Sequence, residues 1–444
     1  MLTLDFIHDL CLADIPTTAV HQARRCLLDL AGVAASGRNT AYSRIAHGFA
    51  VRQMGTSEAG ARIIFDGRRV GAAGAAYAGA STIDSFDAHD GHALTKGHAG
   101  VAVLPAILAF ADAEGLLGAE GLTSSDLLTL TIIGYEIATR AGIALHDTAC
   151  DYHTSGSWNA LACTALGARL LQLDQMQTRH ALGTAEYHGP RSQMMRCIEY
   201  PTMLKDGSGW GAFVGVSAAY LARDGFTGAP AISIEDGALR DIWSDLGTRW
   251  RIEEQYFKPY PVCRWAQPAI EAAEVLLACS SLPPDEIMRV EVDTFGHAVS
   301  LGAAMPGTTE QAQYALGFPL AVYLVHRRIT APDIDGDGLA DPAVADMLAR
   351  IVLKEDPAIS AQFPALRLAR VRIQMRSGEV HQSELTAARG DPDHPLSDAE
   401  LITKFNGCAA HLDGARSHSI QETAMALGDS GQPAALFADL LLEA

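Results

Sequence analysis

The sequence predicts a mainly α fold: a large all-helical domain interrupted by a smaller α+β insert. Three observations carry this. Apolar residues recur at helical spacing through roughly the first 255 positions, period-two alternation begins only after Lys258, and helical spacing resumes after the break Arg389-Gly-Asp-Pro-Asp-His-Pro395. The expected boundaries are 1–256 plus 396–444 for the helical domain and 257–395 for the insert.

From the N-terminus, Val20, Ala23, Cys26, Leu27, Leu30 and Ala31 lie at near-helical spacing and predict a helix over 19–35. The run from Gly71 to Ala80 is almost entirely Gly and Ala, which suits close helix contacts; it lacks both the preceding strand and the spacing of a dinucleotide-binding loop. A helix over 101–114 accepts Pro105 in its first turn. Ser125-Asp126 is expected to cap a long helix to about residue 146, with Glu136 and Arg140 paired one turn apart. Further Ala-rich helices are expected over 158–171 and 210–222. In the insert, 288–294 and 368–375 alternate as strands, with helices expected over 310–326 and 342–351 between them; helix resumes at Ser397.

The bounds are those of a globular protein. With 33 basic and 52 acidic residues the net charge is −19, which argues against nucleic acid and anionic membranes as partners. The apolar window 127–145 contains Glu136 and Arg140 and falls short of a membrane span. No basic-then-apolar leader opens the sequence, so a cytoplasmic location is expected. The eight cysteines are scattered without a CxxC pair, which disfavours a disulfide framework, a zinc ribbon or a cysteine-ligated cluster.

The chemistry concentrates in Asp84-Ser-Phe-Asp87-Ala-His89-Asp90-Gly-His92-Ala-Leu-Thr-Lys96-Gly-His98-Ala-Gly100. Groups that hold and move protons near neutral pH crowd here, among glycines that permit tight turns. His89-x-x-His92 lacks the helical context of a metal motif, so acid–base use is the better reading and no metal is expected. Asp333-Ile-Asp335-Gly-Asp337-Gly338 imitates a calcium loop, but Val344 stands where the bidentate Glu belongs, and a surface turn fits better. His153 sits between two helices, at a helix entrance that Thr154 or Ser155 can cap. Lys205 precedes a Gly-Ser-Gly turn, the place for a cation at a pocket edge, and Arg191 and Arg196 are candidate carboxylate clamps. Lys258-Pro-Tyr-Pro-Val-Cys263-Arg-Trp-Ala-Gln267 forms a rigid junction whose Cys263 reads as structural more readily than as a nucleophile.

Asp87-Ala-His-Asp90-Gly-His, His98-Ala-Gly, Tyr135-Glu-Ile-Ala-Thr-Arg, Tyr152-His153-Thr, Lys205-Asp-Gly, Lys258-Pro-Tyr-Pro, Gln311-Ala-Gln-Tyr and Arg389-Gly-Asp-Pro-Asp-His-Pro, in this order, resemble the 2-methylcitrate dehydratase (MmgE/PrpD) family. That family also holds cis-aconitate decarboxylases and an iminodisuccinate epimerase. The resemblance implies a homodimer whose α+β part serves as a lid, and cofactor-free lyase or isomerase chemistry on a small polycarboxylate. It places Asp90, His98, His153 and Lys205 at catalytic positions, with Asp87, Arg191, Arg196, Lys258, Cys263 and Gln267 as substrate-binding candidates. Cys263 and Gln267 stand where cis-aconitate decarboxylases carry His, and Phe318 where they carry Tyr; His89 and Gly91 replace a commoner Asp-Thr pairing.

The reaction class expected first is dehydration of a hydroxy di- or tricarboxylate such as 2-methylcitrate, by proton removal next to a carboxylate. Either His98 or His153 can take the proton, Asp90 can orient a histidine, and Lys205 with Arg191 can stabilise the charge that develops. An imidazole base predicts activity titrating near pH 6 to 7, roughly the reference value for His. Decarboxylation or epimerisation uses the same groups, and an inactive carboxylate-binding scaffold is the alternative of another class.

Overall fold

The structure, a computed structural model, describes residues 2–55, 60–118, 120–279, 282–428 and 432–444. It is mainly helical. The helices that build the site are α1 (Thr17–Gly37), α2 (Ala72–Asp84), α3 (Gly100–Ala113), α4 (Ser124–Thr148), α5 (Gly156–Leu170), α6 (Ser208–Arg223), α7 (Gln267–Cys279), α8 (Gly317–His326) and α9 (Asp398–Cys408). Helix α6 packs on α5 and α2, and α2 packs on α3. Small residues set these approaches: a Cβ on Gly79 of α2 would lie 2.9 Å from Pro105 Cβ, so the Gly/Ala run does bring two helices into contact.

Helix α4 is long and apolar enough to cross a membrane by length and composition, yet 94% of its apolar window is buried inside the protein, which marks it as a core helix. Its N-cap is Thr123, two residues before the expected Ser125: the Thr123 hydroxyl accepts from Asp126 N while the Asp126 carboxylate accepts from Thr123 N. Glu136 and Arg140 meet at 3.3 Å, both fully buried. Arg140 also binds Asp245, and Glu136 accepts from Ile252 N at 3.0 Å, so the pair fastens the segment that leads into Gln255–Tyr256. That dipeptide runs antiparallel to Gly91–His92, with Gly91 opposite Tyr256, and so pins the acidic, His-rich loop to the core.

After residue 280 the chain forms a five-stranded sheet from β1 (Ile287–Thr294), β2 (Ile351–Glu355), β3 (Leu368–Met375), β4 (Val380–Gln382) and β5 (Thr386–Ala387). The order is β2-β1-β3-β4, with β5 also on β3; β1 and β2 are parallel, and the remaining pairings are antiparallel. Strand β2 lies where sequence periodicity continues the helix Pro342–Leu348. The expected helix over 310–326 is two, Thr309–Gln313 and α8, parted at Tyr314–Leu316. The Asp333 segment forms short 3₁₀ turns capped by Thr330, whose N–H donates to Asp333 at 2.8 Å, in keeping with a surface turn. Helix α9 starts at the expected Ser397, in a capping box with Glu400, and packs on α1.

Candidate active site

The loop between α2 and α3 folds back on itself so that Asp87, His89 and His98 face one another, all buried. Their ligand-capable atoms lie within 4.8 Å of one another. His98 is fixed at one nitrogen: Nδ1 donates to the Asp90 carbonyl oxygen at 2.5 Å, and the backbone N–H of His98 donates to Ser155 Oγ at 3.0 Å. A carbonyl can only accept, so Nδ1 carries the hydrogen and Nε2 is left with its lone pair. That Nε2 stands 3.8 Å from Asp87 Oδ1 and 3.9 Å from Asp206 Oδ2. The His89 ring lies edge-on to the His98 ring, the two ring centres 4.3 Å apart.

Electrostatics keep the imidazoles neutral. Burial, then the Lys258 charge, then His89, hold His98 well below the ordinary histidine value of 6.5. Burial and Lys258 take His89 down to about 3. Asp87 goes the other way: burial favours its acid form, but Lys258, His98, His89 and Lys205 outweigh it and hold the carboxyl well below the usual range. Lys258, fully buried, donates to Asp87 Oδ1 and at 3.1 Å to the Asp87 carbonyl oxygen.

Lys205 is also buried, in a left-handed backbone conformation with φ of 47°. Non-glycine residues adopt this rarely, and such strain is concentrated at functional sites. Its ammonium donates to Gln313 Oε1 at 2.5 Å and lies 5.2 Å from the centre of the Tyr314 ring. Gln313 also accepts from Asp87 N at 2.8 Å, so one amide connects Lys205 with the loop. Burial and the neighbouring Asp84 charge raise Asp206, and burial chiefly raises Asp84. Ser155 donates to Asp206 rather than capping α5, the role sequence reasoning offered it.

Beside this cluster lies a narrow cavity with about 400 Å³ of empty space. Asp87, His98, Lys258, Cys263, Lys96 and Arg367 are among the residues that line it, with Tyr152, Tyr256 and Arg264. A larger cavity of about 1300 Å³ backs onto the same loop at Ala88, but Arg389 there is paired with Glu274 and Lys404 with Asp29. The smaller one is lined by His98, Asp87 and Lys258 and is the candidate site.

Several expected residues take other places. Asp90 is buried, but its carboxyl accepts from Tyr135 OH instead of a histidine; its carbonyl orients His98. Burial and Asp29 raise that carboxyl to about 7. His153 donates from Nδ1 to the Asp151 carbonyl at 2.9 Å and does not line the cavity. Arg191 and Arg196 are exposed and outside it, because the segment after Pro190 turns them to the surface. Gln267 holds the Pro-rich junction, donating to the Tyr260 and Val262 carbonyls at 2.9 Å each. Cys263 lines the cavity as a neutral thiol, pushed to about 12 by burial and Asp87. Phe318 is buried and away from the cavity. Sequence reasoning assigned no role to Asp206, Gln313, Lys96 and Arg367; the first three stand inside stretches already singled out.

The donor set Asp87, His89 and His98 is compact enough for a metal ion, yet Asp87 is already bound by Lys258 and acted on by Lys205. An ammonium already bonded to one donor, with a second cation acting on it, opposes a dication, and the residues present do not fit one.

A buried neutral base with a fixed tautomer, close to a carboxylate and to two ammonium groups, is equipped to transfer a proton. The chain belongs to the MmgE/PrpD family: the N-terminal domain of that family matches residues 3–244 and its C-terminal domain residues 260–429. It is 23% identical to a cis-aconitate decarboxylase-like protein of Aspergillus oryzae, over 98% of this chain and 95% of the relative. It is 22% identical to the cis-aconitate decarboxylases of Aspergillus terreus (93% and 90% covered) and Mus musculus (91% and 86%). The protein is a lyase-type enzyme with a dehydratase or decarboxylase type of function.

Proposed function

We propose that this enzyme is a cofactor-independent hydro-lyase acting on a small hydroxy di- or tricarboxylate of the 2-methylcitrate kind. The observation that carries the reading is His98, neutral, lining the cavity, its Nδ1 committed to the Asp90 carbonyl and its Nε2 without a hydrogen bond among the described residues. Nε2 removes the proton from the carbon next to a carboxylate. Lys258, with the Lys205 charge acting on the same cluster, stabilises the negative charge that builds on that carboxylate. The bond to the neighbouring hydroxyl then breaks, and that group leaves as water with the proton His98 has taken or with one exchanged from Asp206, which is raised toward its acid form. Residues 257–395 act as a lid over the cavity. Exposed Tyr187, Tyr200 and Leu204, which are 80%, 72% and 71% accessible, support a homodimer contact on the helical part. The location proposed is the cytoplasm.

The names of the relatives favour a second reading, decarboxylation of a related acid, in which carbon dioxide leaves and Asp206, raised toward its acid form, supplies through His98 Nε2 the proton that the carbanion takes up. Against it, Cys263 presents a neutral thiol where those enzymes carry an imidazole.

Incubation with 2-methylcitrate, citrate and cis-aconitate in deuterated water, followed by proton NMR, separates these. Loss of water supports the hydro-lyase, loss of carbon dioxide the decarboxylase, and deuterium uptake on an unchanged skeleton an epimerase. Whichever substrate turns over, His98→Asn should slow it by roughly a hundred- to ten-thousandfold. Unimpaired turnover in that variant would remove His98 from the mechanism.

A further inference from the structure

Five cations surround the cluster and its cavity, and three are already occupied. Lys258 is paired with Asp87, Lys205 donates to Gln313, and Arg264 binds Asp391 at 2.7 Å and the carbonyls of Ala388 and Arg389 at 3.1 and 3.0 Å. Lys96 and Arg367 remain. Among the described residues neither has a carboxylate within ion-pairing distance. Arg367 is only 8% exposed, yet of its five N–H donors one makes a hydrogen bond, from Nη2 to the Ala93 carbonyl at 3.3 Å, and its buried Nε has no partner. Lys96 stands in a left-handed conformation with φ of 51°, its ammonium 5.2 Å from the centre of the Tyr152 ring. Burial and the charge of Arg367 both act against its protonated form. Two cations facing one cavity, mutually repelling and short of acceptors, are arranged for an anion that neither the backbone nor an acidic side chain supplies.

We propose that Arg367 and Lys96 together bind a second carboxylate of the substrate, away from the reacting carbon, so that the enzyme selects acids with at least two carboxylates. This rests on the reading that His98 acts on a carboxylic acid in the same cavity. Arg367 immediately precedes β3 in the sheet-bearing part, whereas Lys96 belongs to the loop before α3, so a bound carboxylate bridges the two parts. The planar guanidinium fork supplies direction, and the ammonium supplies charge.

Calorimetric titration with three unreactive acids tests this: tricarballylate, glutarate and butyrate, against wild type, Arg367→Gln, Arg367→Lys and Lys96→Met. Wild type should bind glutarate and tricarballylate more tightly than butyrate. Arg367→Gln and Lys96→Met should each weaken glutarate by roughly ten- to a hundredfold and leave butyrate unchanged. Arg367→Lys should fall between wild type and Arg367→Gln, because charge is kept and the fork is lost. The same glutarate-to-butyrate ratio in all four proteins overturns the proposal, as does a wild type that binds butyrate as well as glutarate. For any acid turned over, KM should rise in Arg367→Gln by more than kcat falls; a loss confined to kcat also overturns it. Absence of turnover by a wild type that still discriminates glutarate from butyrate would refute the His98 reading and leave the two-cation site standing.

Discussion

Replacing Lys258 by Met removes one charge while nearly conserving volume. In the native protein Lys258 is fully buried, Asp87 is 4% exposed, and the ammonium reaches both the carboxylate and the carbonyl of Asp87. Removing one partner of a buried pair leaves the other charge uncompensated, at a cost of about 3–5 kcal/mol. Lys205 and the two histidines still act favourably on Asp87, so the lower end, about 3 kcal/mol, is expected. Urea unfolding at pH 7.5 measures it, with Arg179→Met as control. Arg179 and Glu235 form a 2.8 Å pair whose side chains are 49% and 35% accessible, and its loss should leave the midpoint nearly unmoved. The pH dependence has a definite sign. Asp87 is depressed in the folded state, so its pairing stabilises fully above the ordinary carboxylate value of 3.8 and is lost as pH falls through the folded value; the gap between wild type and variant should close in that acid range. Lys258 is also the largest charge depressing His98, so the acid limb of any pH–rate profile should move to higher pH in the variant. A stability loss under about 1 kcal/mol together with an unmoved acid limb would refute the claim that this ammonium holds Asp87 ionised and His98 neutral.

Asp90→Asn should gain on wild type between pH 4 and 7. The native carboxyl is raised to about 7, so wild type loses stability, on the order of a few kcal/mol, as the unfolded chain ionises over that window; equal urea midpoint differences at pH 4 and 8 would contradict this. Gly100→Ala would place a Cβ 2.0 Å from Tyr135 Oη and 2.7 Å from Leu30 Cδ1. It should cost roughly 1–3 kcal/mol in thermal melts and impair turnover by displacing the hydroxyl that holds Asp90, and a fully active, equally stable variant would refute the packing. At pH 7.5 iodoacetamide should modify the exposed Cys11, Cys150 and Cys279 well before the buried, neutral Cys263; early labelling of Cys263 in peptide maps would mean its thiol is ionised after all. The pH–rate profile of wild type should show no acid limb at 6 to 7 from His98, because its folded-state value lies well below 6.5, which corrects the expectation drawn from unperturbed imidazole.

Local patterns carried much of the fold. Helical spacing located α1 through α6, and alternation located β1 and matched β3 over Leu368–Met375. Strand β2 escaped because Ile351-Val-Leu follows an apolar helix without a break in composition, and its partner β1 is far away in sequence. The division after Gln313 escaped because it answers to tertiary contacts: Gly317 N binds the Gly302 carbonyl, and the Gln313 side chain is directed to Lys205 and Asp87. At the site, Asp87, His98 and Lys258 were legible because they stand in dense motifs. Arg367 stands alone between two leucines, and its hydrogen bond to Ala93 spans 274 residues, so no window could disclose it. Arg191 and Arg196 show the converse: suitable chemistry on a segment whose facing only the fold decides.

Lys404 of α9 donates to Asp29 at 2.5 Å and to the Ala88 carbonyl at 2.6 Å, across 316 residues in the second case. Ala88 lies between Asp87 and His89, so a residue made late in synthesis braces a loop made early. At about 5–20 residues per second the ribosome needs on the order of 15–60 s to travel from one to the other. During that interval the nascent helical body carries a loop of carboxylates and imidazoles without its buried counter-charge, and the segment bearing Lys258 has not yet arrived for most of it. Catalytic competence therefore comes after most of the helices exist, and C-terminal truncations that remove α9 should give chains that collapse readily yet never acquire an ordered proton-transfer site.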